Sequence, residues 1–293
     1  MMSAHAFELA GITLLAAIVN GALGYGFSSI TVPLALLFMA NRVLNPALVL
    51  IEVALNAYVL WVNRSAVPGI WRRAMPVVLG LAPGVVLGTV IVSQVSPAWL
   101  RLYTLVVLLP LIFIQAAGYR RPIQAEKSVG LVFGGGLGVL YSVTTISGPP
   151  LAVMLNNQGL AKHEFRAALG LIRLAESSMT AIAYLSAGLF TTSSIALIPQ
   201  ILPSVAVGVP VGVWLIRHVR ADTFRRLCMS FDAWVVAFGI STLLRDLKLV
   251  ESSAAYLVLV GVLIFDAWLL TRFFTAQNRE LHRELRRLDG ARS

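Results

Sequence analysis

Asn20-Gly-Ala-Leu-Gly-Tyr-Gly-Phe-Ser-Ser-Ile-Thr-Val-Pro33 sits inside a run without charge from Leu9 to Asn41. Three glycines, a proline, an asparagine and the hydroxyls of Ser28, Ser29 and Thr31 crowd the middle of an otherwise apolar segment. One helix over residues 9 to 40 would measure about 50 Å at 1.5 Å per residue, against a hydrocarbon core of about 30 Å. Non-helical backbone at membrane depth persists only where protein or a water-filled cavity satisfies its polar groups. The stretch therefore reads as a broken helix that turns at Gly24-Tyr25-Gly26 and starts a second half-helix near mid-membrane with Ser28, Ser29 and Thr31.

The rest of the chain is of the same kind. Of 293 residues, 58% are hydrophobic and 12% charged, with a mean hydropathy of +0.83, which excludes a soluble globular surface and predicts an all-α polytopic membrane protein. Apolar blocks cover 9–40, 44–62, 74–95, 98–118, 128–160, 166–187, 193–216, 227–244 and 252–274. No Lys or Arg precedes Arg42, so the start reads as a retained membrane segment rather than a removable signal. The single Cys228 offers neither a disulfide nor a cysteine metal cluster. The net charge of +10 lies in short loops and a tail beside spans, where the positive-inside rule accounts for it without nucleic acid. Neither a cofactor nor a metal is expected.

The first and fifth blocks match. Gly21, Leu23, Pro33, Leu34 and Ala35 align without gaps with Gly138, Leu140, Pro150, Leu151 and Ala152, an offset of 117. Gly84, Val85, Gly88 and Arg101 then align with Gly208, Val209, Gly212 and Arg225, an offset of 124. Two matches in the same order indicate a duplication. If all nine blocks cross once, Lys and Arg divide 14 to 8 between the two sides. If the first and fifth blocks fold back, the division becomes 18 to 4 with Arg173 inside the membrane, much the better fit to positive-inside. Each half then holds a broken-helix hairpin and three transmembrane helices, and the halves form inverted repeats. The expected organisation is a first repeat over 1–121, a second over 122–247, one extra transmembrane helix over 248–275 and a basic cytoplasmic tail over 276–293, with the amino terminus outside. Whether each hairpin is re-entrant or two short spans stays open.

The partner stretch, Tyr141-Ser-Val-Thr-Thr-Ile-Ser-Gly-Pro-Pro150, repeats the arrangement with Ser142, Thr144, Thr145 and Ser147, and puts Pro149 and Pro150 at early helical positions where a missing N–H costs nothing. The free N–H groups and positive dipole end of a half-helix attract an anion. Asn20 and Tyr25 complete the candidate substrate-binding set. Gly134-x-x-x-Gly138, Gly84-x-x-x-Gly88 and Gly208-x-x-x-Gly212 read instead as close helix packing.

The glycine-rich segment ending in Thr-Val-Pro33, its second copy ending in Ser-Gly-Pro-Pro150, and the later Gly-x-x-x-Gly with a basic loop in each half resemble the TauE/SafE family of sulfite exporters, of TSUP type. The resemblance runs from about Gly11 to Arg245. It implies secondary transport of small sulfur-containing anions such as sulfite, sulfoacetate or related organosulfonates, across the plasma (inner) membrane. The first copy departs from the family's commoner glycine run, carrying Phe27-Ser28-Ser29 there, and this leaves the substrate open.

Charges at depth form a second group. Arg173 and Glu176 stand three apart on one helix face; an intramembrane Arg is normally paired and marks a candidate anion site or a packing ion pair. On the anion-site reading Arg173 joins the substrate-binding set and Glu176 holds it or takes up a proton. Glu52, at roughly the corresponding place in the first half, is a candidate proton carrier or packing residue. Asn56 reads as an interhelical hydrogen bond, Asp232 and Asp266 have no assigned role, and His163 reads as solvated. Trp61, Trp71, Trp99, Tyr103 and Tyr119 read as an interfacial belt. In the tail, Leu281, Leu285 and Leu288 share a helical face, which suits the anionic inner leaflet, a second subunit of a homodimer, or a solvated helix. A membrane enzyme is the rival class, beside a non-transporting subunit. It needs a nucleophile with a base or a metal cluster, and all four His fall outside the apolar blocks or at their ends. Within transport, export leads, because an inside-negative potential drives anions outward by about 2.3 kcal/mol per charge per 100 mV; proton-coupled uptake is second.

Overall fold

The computed structural model describes residues 2–116, 126–156, 158, 160–216, 218 and 221–290. These form α1 (Met2–Leu23), α2 (Phe27–Ala35), α3 (Asn41–Val62), α4 (Val67–Gln94), α5 (Pro97–Ala116), α6 (Glu126–Thr144), α7 (Gly148–Asn156), α8 (Lys162–Ser186), α9 (Thr192–Leu215), α10 (Ala221–Asp246) and α11 (Leu257–Gly290), with short 3-10 turns at Arg64–Ala66 and Ser253–Tyr256. The two over-long apolar blocks are both broken. Each has unequal arms, 22 and 9 residues for α1 and α2, then 19 and 9 for α6 and α7.

Among the described residues, α1, α3, α4, α5, α9, α10 and α11 contain stretches long and apolar enough to cross a membrane. The apolar part of α6 is shorter, Ser128–Thr144. The sixth apolar block forms α8, which has the length of a span but is diluted by charge, since Arg173 and Glu176 lie fully inside the protein. The chain is thus a multi-pass membrane protein built entirely from helices in its described part.

Side-by-side packing follows the glycines. α4 lies along α6 and α1 lies along α9, and in both pairs glycine lets the backbones touch. A Cβ on Gly84 would collide with the carbonyl of Gly135, and one on Gly212 with the carbonyl of Ile18. The packing reading of the three Gly-x-x-x-Gly pairs therefore agrees with the contacts. α3 pairs with α8, and α5 with α10. Exchanging α1 with α6, α2 with α7, α3 with α8, α4 with α9 and α5 with α10 maps the α1–α9 contact onto α6–α4, α3–α9 onto α8–α4, and α2–α10 onto α7–α5. α11 packs on α10 and on the 3-10 turn before it.

The contacts correct the register of the second sequence match. Gly80 meets Leu131 and Gly135 while Gly208 meets Leu14 and Ile18; Gly84 meets Gly135 and Val139 while Gly212 meets Ile18 and Ala22. Residues 14, 18 and 22 are the counterparts of 131, 135 and 139 at the offset of 117. Gly80 and Gly84 therefore stand where Gly208 and Gly212 do, an offset of 128 rather than 124. The glycine ladder 80-84-88 repeats every helical turn, so identity alone fits it in either register.

Arg226 also departs from expectation. Counted among loop charges, it is buried in α10 and paired with Asp266 of α11 at 2.7 Å, which leaves 17 loop charges on that side. Arg42 donates to the carbonyls of Val92, Ser93 and Val95 and so caps the end of α4. His163 is exposed, as are Trp61, Trp71, Trp99 and Tyr103. Tyr119, Arg120, Arg121, Arg217 and Arg220 lie outside the described residues, and α11 runs to Gly290 without described side chains at Leu281, Leu285 and Leu288.

Gly84→Ala should lower thermal stability by about 1–3 kcal/mol through overpacking, whereas Gly136→Ala, with nothing within 4 Å of its new Cβ, should leave it unchanged or raise it. Equal melting of the two variants in detergent would contradict the backbone contact.

Candidate functional site: two helix breaks and a buried charge cluster

The first break is built on glycine conformations. Gly24 has φ 85° and Gly26 φ 106°, left-handed values that side chains resist. The reversal lays α2 back along α1, with Gly26 tight against the Val19 side chain. At the second break Thr145 takes φ 56°, an outlier for a β-branched residue of the kind that clusters at functional sites. Pro149 and Pro150 occupy the second and third positions of α7, as the sequence suggested.

Backbone groups released by the second break have partners. Asn45 of α3 donates to the Val143 carbonyl at 2.8 Å, the Tyr184 hydroxyl of α8 donates to the Ser142 carbonyl, and the Thr144 hydroxyl accepts the Ile146 N–H at 3.0 Å. The two breaks touch, because a Cβ on Gly148 would lie 3.2 Å from the Tyr25 Cβ.

From each break a serine reaches a glutamate on the next long helix. Ser28 donates to Glu52 of α3 at 2.7 Å, and Ser147 donates to Glu176 of α8. Glu52 is the centre of the cluster: its Oε1 also takes Arg173 Nη2 at 2.7 Å and its Oε2 takes the Tyr141 hydroxyl at 2.7 Å. Glu52, Arg173, Glu176 and Tyr141 are all buried. The partner of Arg173 is thus Glu52, from the other half of the chain, and not Glu176 three residues away. Ser147 occupies Glu176 Oε2, and its Oε1 has no hydrogen-bond partner among the described residues; neither do Nε and Nη1 of Arg173. Two nitrogens of a buried guanidinium and one carboxylate oxygen thus keep hydrogen-bonding capacity that no described residue uses.

The remaining expected residues divide. Asn20 is buried on α1 one turn before the break, Tyr25 is buried within it, and the Thr31 hydroxyl is buried without a hydrogen-bond partner among the described residues. Thr144 ends α6, and Thr145 turns its hydroxyl onto the Thr144 carbonyl at 2.7 Å, so these two serve the turn rather than start a half-helix. Ser142 faces Thr180 of α8 and the Val85 carbonyl of α4. Asn56 donates to Ser177 and to the Arg173 carbonyl on α8, the interhelical role expected of it.

Tyr141 escaped the residue-by-residue reading; a tyrosine one turn before a break, at membrane depth, was the available signal. Asp232 was noticed without a role. On α10, it lines a small cavity of about 20 Å³ with Gly26 and Ser29 of the first break and Pro149 of the second, room for about one water. Ser28 and Ser29 thereby serve different neighbours of α2, Glu52 on α3 and the cavity beside Asp232 on α10. No group of three or more His, Cys, Asp or Glu that could hold a metal occurs among the described residues.

Two touching breaks thus stand beside a buried charge cluster. The model of the family described as sulfite exporter TauE/SafE matches residues 9–240. The chain belongs to the TauE/SafE family. The match takes in α1 to α9 and most of α10, and leaves α11 outside it. No curated protein and no solved structure matches the chain. Membership of a transporter family fits a protein that moves its ligand rather than transforms it.

Removing one partner of a buried ion pair costs about 3–5 kcal/mol, whereas removing both costs much less. Glu52→Gln should therefore lower unfolding stability by about that amount, and Arg173→Gln added to it should restore part of the loss. Additive effects of the two substitutions would show that the pair does not act as a unit.

Proposed function

We propose that this TauE/SafE protein is a secondary transporter exporting a small sulfur-containing anion, such as sulfite, sulfoacetate or a related organosulfonate, by alternating access. The observation that carries the reading is the contact between the two breaks, Tyr25 on Gly148. It brings the amide-bearing starts of α2 and α7 to one place, and such starts favour an anion. Ser29, Thr31 and Ser147 add hydroxyls there, and Arg173 supplies positive charge with two unpaired N–H positions. Glu52 holds Arg173 in place, and Glu176, held by Ser147 of the second break, is a fixed charge beside it.

Alternating access in this reading comes from inverted repeats, α1–α5 against α6–α10. It is supported by the exchange pattern of helix contacts and by the shared glycine register. The positive-inside count, with Arg226 removed, still favours the amino terminus outside and the carboxyl end in the cytoplasm of the plasma membrane.

In proteoliposomes the protein should give flux of labelled sulfite or sulfoacetate, and Arg173→Gln should abolish anion binding while leaving a folded protein. Absence of flux from folded wild-type protein would favour a non-transporting subunit, and unchanged binding by Arg173→Gln would reduce that residue to packing. Single cysteines at Arg64 and Lys162, in a chain lacking Cys228, should both react only with cytoplasmic reagent; opposite accessibility of the two would end the fold-back topology.

A further inference from the structure

Among the described residues, Asp232 is the buried acid that nothing above employs. It is 7% exposed, and the other three buried carboxylates described have fixed partners: Glu52 has Arg173, Ser28 and Tyr141, Glu176 has Ser147, and Asp266 has Arg226, Ser230 and Trp234. Among the described residues no ion pair reaches Asp232. A buried carboxylate without a cation is costly and gives way by taking a proton or by acquiring a ligand.

Its surroundings define what that ligand can be. The cavity it lines opens onto Gly26 and Ser29, at the start of α2, and Pro149, at the start of α7. The walls from α1 and α5 are apolar, Val19, Leu23 and Ile112, and the titratable neighbours are Tyr25 of the break and Cys228 on α10 itself. Asp266 of α11 meets Arg226, Ser230 and Trp234, successive turns along one face of α10, and Asp232 stands on the other face of that helix. Arg173, the cation of the site, does not line this cavity and is engaged by Glu52 of α3. Asp232 thus occupies the anion-attracting mouth of the two half-helices with a negative group of its own.

We infer that binding of the transported anion takes up one proton at the Asp232 carboxylate. Two negative charges sharing one site cannot both stay ionised. Ionised, Asp232 repels an incoming anion from the amides of α2; protonated, it turns from competitor to hydrogen-bond donor toward an anion oxygen. The proton comes from bulk water, enters with the anion and leaves with it, so no other group changes charge. Anion and proton therefore travel together. A singly charged anion then crosses without net charge, while a doubly charged one carries one net negative charge that the inside-negative potential still drives outward. This inference rests on the transport reading and names its coupling group.

Calorimetric titration with sulfoacetate, whose acid groups are fully ionised near neutral pH, and with sulfite after subtracting its own protonation, tests it in buffers of different ionisation enthalpy. Wild-type protein should take up about one proton per anion bound, with affinity falling as pH rises. Asp232→Asn should bind with no proton uptake and with affinity independent of pH, and Asp232→Ser gives the same readout if the first variant does not fold. Wild-type binding without proton uptake, uptake unchanged in Asp232→Asn, or uptake lost only in Glu176→Gln would each overturn the assignment. Failure of the wild-type protein to bind either anion is a separate result, which removes the transport reading and this inference with it.

Discussion

A chain that stops being helical inside a membrane must find a partner for every amide and carbonyl it releases, because lipid offers none. This constraint organises the centre of the molecule. At the second break, Asn45 and Tyr184 come in from neighbouring helices to hold the carbonyls of Val143 and Ser142, and Thr144 receives the Ile146 amide. The carbonyl ends of the break are thereby closed by protein. The amide ends, at the starts of α2 and α7, are brought together by the contact of Tyr25 with Gly148. Under the transport reading, an unequal settlement of this kind favours negative charge at the amide ends.

Around that site the charged cluster ties the halves of the chain. Glu52 receives donors from α2, α6 and α8 at once, so displacing any one of those helices uncovers a buried charge. The glycine contacts of α4 with α6 and of α1 with α9 set the arms at backbone distance. Packing of that kind moves as a unit or not at all. Under the transport reading, the part free to rearrange is the α5–α10 pair, whose inner face carries the Asp232 cavity.

Much of this was legible in the sequence, for physical reasons that can be named. Over-long apolar blocks with glycines at 21, 24 and 26 cannot be straight spans, and two of those glycines indeed take left-handed backbone. Pro149 and Pro150 marked the start of α7 because proline costs a helix least at its first positions. What the sequence hid depended on the third dimension. Arg173 lies one turn from Glu176 along α8, yet the facing helix α3 presents Glu52 with better geometry, and no local rule reveals a partner 121 residues away. The register of α4 against α9 was ambiguous because a ladder of glycines reads alike after each turn. Arg226 looked like a loop charge because its neutralising Asp266 comes from α11, a helix beyond the duplicated halves.

The central claim is that the two half-helix starts form one anion chamber. Selenite is a heavier analogue of sulfite whose selenium scatters anomalously, so a crystal structure grown in its presence locates the anion directly. The account predicts a single anomalous peak between the break at Gly24–Gly26 and the break at Thr145–Ser147, within reach of Ser29, Ser147 or Arg173. A peak elsewhere in the protein, or either segment appearing as an unbroken helix, would contradict it.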